Sequence, residues 1–160
     1  MTRKACVVLT ALAALSCAAA AADQPPDVRG RWVGKTHSIV AGSGGHWPTS
    51  KGTFEKPGLF EKDIVIEITG QEDRRFWGMQ TLSGNGESTQ EPMIGELTGE
   101  DNRSVVLVDT DGYLNGRLTG ENVLSFCYAQ AGGRNGSSVV SCRDQASALK
   151  PPLVLCVGSG

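Results

Sequence analysis

From residue 28 to residue 145 the sequence is a succession of short segments in which polarity alternates residue by residue, most of them bounded by glycine, asparagine or aspartate. The clearest is Leu59 to Thr69. There Ile64, Ile66 and Ile68 share one face, and Asp63, Val65, Glu67 and Thr69 take the other. A period of two is the signature of a strand that buries one face. Eight such segments are predicted: Val28–Ile39, Leu59–Thr69, Arg74–Leu82, Glu91–Leu97, Arg103–Asp109, Tyr113–Leu118, Val123–Gln130 and Ser138–Gln145. Their spacing is the one expected of a sandwich or barrel. Short links between successive strands favour a meander, and a meander removes its exposed edges by closing on itself. The expectation is an all-β chain forming a single antiparallel up-and-down β-barrel of about eight strands.

The first 22 residues are read separately. Arg3 and Lys4 precede an apolar run that ends in Ala18 to Ala22. A charged start, an apolar stretch and small residues at the end make a signal peptide, with cleavage expected after Ala22. An uncleaved anchor is the plain alternative. A lipidated Cys17 is another, since Ala14-Leu15-Ser16-Cys17 loosely matches a lipidation motif. The barrel domain is then expected over residues 23–150, with 151–160 a poorly ordered C-terminal tail that begins at Pro151-Pro152. Localisation is expected to be periplasmic or secreted, or membrane-anchored if Cys17 carries lipid, in which case a structural role in the envelope is the alternative function; membrane contact is expected only through the leader or that lipid.

Residues 23–160 carry 13 basic and 17 acidic side chains, a net charge of −4, and no basic cluster. That balance argues against nucleic acid as a partner. All 21 glycines fall after the leader, which suits a chain of turns and bulges.

Cys127 and Cys142 stand on two successive predicted strands, and an exported chain meets an oxidising compartment. Pairing them also sets Ala129 opposite Val140 and Ser125 opposite Asp144, so one register serves the whole hairpin. Two free thiols packed as small hydrophobes are the alternative. Cys156 is left over. Asp111-Gly112 reads as a two-residue type I′ hairpin turn, and Pro92 as a start, edge or bulge position.

Catalytic signatures are few. His37 and His46 are the only histidines, and neither has zinc-site spacing, so no metal or other cofactor is expected. Asp109-Thr110-Asp111-Gly112 opens like a calcium loop but lacks the later ligands, and reads more simply as a turn with two solvated carboxylates. The irregular stretch Ala41–Gly58 is the longest connection, and such loops are often functional. An enzyme reading would place His46 there as acid or base, with Glu55 or Asp109 beside it. No catalytic residue is assigned.

The triplet Gly30-Arg31-Trp32 opens the first strand of this meander. A Gly-x-Trp on strand one of an eight-stranded meander resembles the calycin group: lipocalins, fatty-acid-binding proteins and avidins. The resemblance implies a binding module for a small apolar or amphipathic ligand, or for a protein partner. Avidin-like biotin contacts are not implied, because the segment after strand one lacks their pattern and no late tryptophan pair exists. Candidate ligand-binding residues are Trp32, Phe76, Phe126 and Tyr128 on the strands, with His46 and Trp47 in the long loop.

Overall fold

In a computed structural model, residues 24–43, 48–49, 51–132 and 136–149 are described, and none of them is helical. The leader with Cys17, His46, Trp47, the tail from residue 150 and Cys156 lie outside the described residues. Nine strands follow in order among the described residues: β1 (Gly30–Ser43), β2 (Lys51–Gly52), β3 (Gly58–Glu72), β4 (Arg75–Gly84), β5 (Glu87–Thr98), β6 (Ser104–Val108), β7 (Tyr113–Gly120), β8 (Val123–Gln130) and β9 (Ser138–Leu149). Apart from the two-residue β2, each strand pairs antiparallel with the next, and β1 pairs with both β3 and β9. The sheet is therefore a closed, up-and-down, eight-stranded barrel, and β1 is the strand that closes it.

The register sets the width. Stepping sideways from Leu59 through Ile39, Val140, Ala129, Tyr113, Val108, Ile94 and Trp77 returns to β3 at Gly70, eleven residues further on. A stagger of that size over eight strands tilts them by roughly 45°, at about 3.3 Å per residue and about 4.8 Å between strands. An eight-stranded barrel is just wide enough to be filled by side chains or to hold one small ligand.

Alternation then decides what goes inside. The core comprises Trp32 on β1, Ile64, Ile66 and Ile68 on β3, Phe76 on β4, Met93 and Leu97 on β5, Val105 and Leu107 on β6, and their counterparts on β7 and β8. Trp32 is 2% exposed, and its Nε1 donates to the Val28 carbonyl at 2.9 Å. Gln71 pins the lead-in across that end: its Oε1 accepts from the Val28 N–H at 2.8 Å, and its Nε2 donates to the Pro26 carbonyl at 3.0 Å. Gly30, at φ 121°, takes a backbone conformation that disfavours a side chain just where the chain enters β1.

Four local expectations are corrected. First, β1 runs on to Ser43, and Gly42-Ser43 pairs with Lys51-Gly52, so the stretch Ala41–Gly58 contains a short ladder. Second, Asp111-Gly112 is not a type I′ turn. Val108 pairs with Tyr113 across a four-residue link, and neither Asp111 nor Gly112 has positive φ. The Asp109 carboxylate explains this by accepting from the backbone N–H groups of Asp111 (3.1 Å) and Gly112 (2.7 Å), which builds an Asx-type turn. The positive-φ pair sits instead at Asn85-Gly86, between partners Gly84 and Glu87. Third, Asp109 is half-buried rather than a solvated turn residue. Fourth, Ser125 does not face Asp144. A bulge between Leu124 and Phe126 shifts the register, and Ser125 Oγ donates to the Arg143 carbonyl.

Cys127 and Cys142 are direct partners and form a disulfide on the outer wall, with Ala129 opposite Val140. Pro92 sits in the part of β5 that extends past β6, an open edge where a missing N–H interrupts no β5–β6 ladder.

Candidate functional site

The inward rows change character in one direction. On β1 the row runs from Trp32 to Thr36 and Ser38; on β3 it runs backward from Ile68 and Ile66 to Lys62. On β4 it runs from Phe76 to Gln80, and on β5 backward from Leu97 to Glu91. On β8 it runs from Phe126 to Tyr128 and Gln130. Successive strands point in opposite directions, so these changes all fall at one end. The barrel has an apolar half, plugged by Trp32, and a polar half.

A cavity of about 260 Å³ lies where the halves meet. Its apolar lining is Ile64, Leu82, Leu114, Phe126 and Val139. One polar wall is formed by β9, β1 and β3 and carries Ser141, Ser38, Thr36 and Lys62, each at most 5% exposed. These are lateral neighbours, since Thr36 pairs with Lys62 and Ser38 with Ser141. The two serine hydroxyls bond each other at 2.8 Å. Burial lowers the Lys62 ammonium from its ordinary 10.5 to about 8, with Glu87 acting in the opposite direction.

The facing wall is acidic. Glu91 and Asp111 line the cavity, and carboxylate oxygens of Glu91, Asp109 and Asp111 lie within 4.8 Å of one another. Tyr128 donates its hydroxyl to Asp111 at 2.8 Å, and Gln130 donates to the other Asp111 oxygen at 2.7 Å. The Gln80 amide donates to Asp109, and the Thr110 hydroxyl to Glu91. Burial, and then the Asp111 hydrogen bond, push the Tyr128 phenol far above its ordinary range.

Of the residues singled out from sequence, Phe126 and Tyr128 line this cavity together. Trp32 and Phe76 belong to the apolar core beyond it. The end of β1 at Ser43 lies toward the polar end, three residues before His46. Glu55 is exposed in the turn closed by the Thr53 to Lys56 bond, while Asp109 belongs to the acidic wall, so no hydrogen bond or ion pair joins them. His37 is exposed on the outer wall, 4.0 Å from Glu61.

Lys62, Gln80 and Glu91 were not singled out. Each had a legible signal, being polar residues in phase with inward apolar ones: Lys62 with Ile64 and Ile66, Gln80 with Phe76 and Leu82, Glu91 with Met93. No family model matches this sequence, and no curated protein or solved structure matches the chain.

Proposed function

We propose that the protein is an exported β-barrel binding module whose lumen takes one small amphipathic molecule. The observation that carries this reading is the cavity of about 260 Å³ at the boundary between the apolar and polar halves of the barrel. Burying a polar side chain costs stability unless it is hydrogen-bonded, and here Thr36, Ser38, Lys62, Gln80, Glu91 and Ser141, all buried, gather around open space. The volume lies just below the usual range of about 300–1,000 Å³ for ligand sites, so the ligand is small. The Cys127–Cys142 bridge fits an oxidising compartment, in keeping with a leader cleaved after Ala22. The closed meander opening on Gly30-Arg31-Trp32 supports a calycin-like ancestry.

Native mass spectrometry of protein purified from its host tests the reading, together with an NMR titration using 1-hexanol. A co-purifying small molecule is expected, and hexanol should shift resonances of Leu82, Leu114 and Phe126. Leu82→Trp should fill the space and abolish both signals. An empty mass spectrum and no hexanol shifts would remove the proposal.

One observation favours an additional outer-wall partner. The lateral row that spirals round the barrel is apolar and exposed at Leu59, Ile39, Val140, Tyr113, Val108, Ile94 and Trp77. Rows of this kind mark interaction surfaces when they are contiguous. A photo-crosslinker at position 94 should then yield a discrete protein adduct in the host, and its absence would leave the lumen as the only binding site proposed.

A further inference from the structure

We propose that the Cys127–Cys142 bridge is a thiol–disulfide exchange site on the outer wall, opened by an incoming thiol that attacks Cys142 while His37 takes its proton. The lumen plays no part in it. The basis is one lateral row of the sheet. Glu61 on β3 pairs with His37 on β1, His37 with Cys142 on β9, Cys142 with Cys127 on β8, and Cys127 with Asn115 on β7. His37 and Cys127 are exposed and Cys142 is half-buried, so the row faces solvent. Direct cross-strand partners hold their Cβ atoms about 4.5–5.5 Å apart, which puts the imidazole beside the Cys142 sulfur. On its other side stands the Glu61 carboxylate, 4.0 Å from His37 Nδ1. A carboxylate, an imidazole and a sulfur in that order form the arrangement that activates a thiol.

The row also distinguishes the two sulfurs. A thiolate attacks a disulfide along the S–S axis, from behind the sulfur it joins. Behind Cys142 lies β1, with His37 and a shallow groove formed by Ile39, Leu59, Phe60 and Val140. Behind Cys127 lies β7, where Asn115 offers no base. Attack on Cys142 is therefore the assisted route. The other charged groups near His37, among the described residues, are Lys35 and Asp63 beside Glu61, and Arg143, whose Nη1 donates to the Lys35 carbonyl.

The exchange runs in two steps. In the first, the proton of the thiol passes to His37, its sulfur bonds to Cys142 Sγ, the bridge breaks, and Cys127 leaves as a thiolate. In the second, another thiol attacks the incoming sulfur of that mixed disulfide, and Cys142 leaves as a thiolate beside the imidazolium. The second thiol's proton goes to Cys127. Two thiols have then become one disulfide, and the protein has gained the two electrons. Ladder pairs on both sides of the bridge, Phe126 with Arg143 and Tyr128 with Ser141, keep β8 and β9 in register when it opens.

The test mixes the mature, disulfide-bonded protein with glutathione, or with an acetylated peptide carrying one cysteine between two valines. The faster probe identifies a small thiol or a cysteine-bearing chain as the source. Early samples are acid-quenched, alkylated with N-ethylmaleimide and peptide-mapped. The mixed disulfide should fall on Cys142 and the maleimide on Cys127. An ordinary thiol, with a pKa of about 8.5, is only about 3% ionised at pH 7, so His37→Ala should slow the reaction there by about tenfold, with a ceiling of about thirtyfold. The deficit should close at about pH 9.5, where the thiol ionises unaided. His37 is exposed, so its truncation leaves the fold intact. A mixed disulfide on Cys127, or shared equally between the cysteines, would overturn the inference. So would the absence of any adduct, an unchanged rate in His37→Ala, or a deficit that persists at high pH.

Discussion

Lys62 offers the most direct test of the polar half of the barrel. The side chain is 5% exposed, and its ammonium falls from an ordinary 10.5 to about 8, with burial as the larger cause. The folded value lies below the unfolded one, so between those pH values the unfolded chain holds more protons. Stability therefore rises with pH through that window. The penalty is fully present below about pH 8 and is gone above pH 10.5. At about 1.4 kcal/mol per pH unit, it amounts to about 3 kcal/mol at neutral pH, an upper figure that already sums burial against the attraction of Glu87. Lys62→Met keeps the length of the side chain and removes the charge. It should stabilise the barrel by up to about 3 kcal/mol at pH 7, or up to about 10 °C in Tm. The gain should shrink toward zero as pH passes 10.5. Urea unfolding of both proteins at several pH values, with the disulfide intact, measures the difference and cancels every other titrating group. A variant no more stable than the parent at pH 7, or a gain that does not change with pH, would refute the reasoning. A buried charge that costs stability is what a binding site is expected to contain.

Breaking the Cys127–Cys142 bridge with a double Ala variant should cost about 3 kcal/mol, the chain-entropy figure for a loop of this length, read as a lower urea midpoint. Trp32→Ala should cost about 3–5 kcal/mol, because it removes a 2%-exposed ring and its bond to Val28 from the closed end. The cavity ligand should still bind Trp32→Ala wherever the variant is folded, since Trp32 does not line that space. In Tyr113→Phe, Tyr128 is the sole remaining tyrosine, and no phenolate absorbance should develop below pH 11, because burial and Asp111 hold its proton.

Much of the architecture was legible because strand pleat has a strict period. Ile64, Ile66 and Ile68 announce an inward row, and every one of them is buried. The disulfide was legible too, since one hairpin register brings the two cysteines together. Turn detail was less so. Asp111-Gly112 carries the composition of a type I′ turn, but the carboxylate of Asp109 folds back on the following N–H groups and selects another geometry. A side chain competing for backbone donors leaves little mark on local composition.

The site was legible only in halves. Phe126 and Tyr128 were recognisable as inward aromatics, whereas Lys62, Gln80 and Glu91 read as ordinary polar interruptions of their strands. Alternation along each strand determined which residues point inward, and with it the barrel, its closing strand and its disulfide. It could not determine which inward residues stand level with one another. That depends on the stagger of eleven residues accumulated around the barrel and on its bulges, and these exist only once the sheet has closed. The closed sheet alone places Lys62 across the lumen from the turn of Asp109 and Asp111, residues 47 and 49 positions away in the sequence.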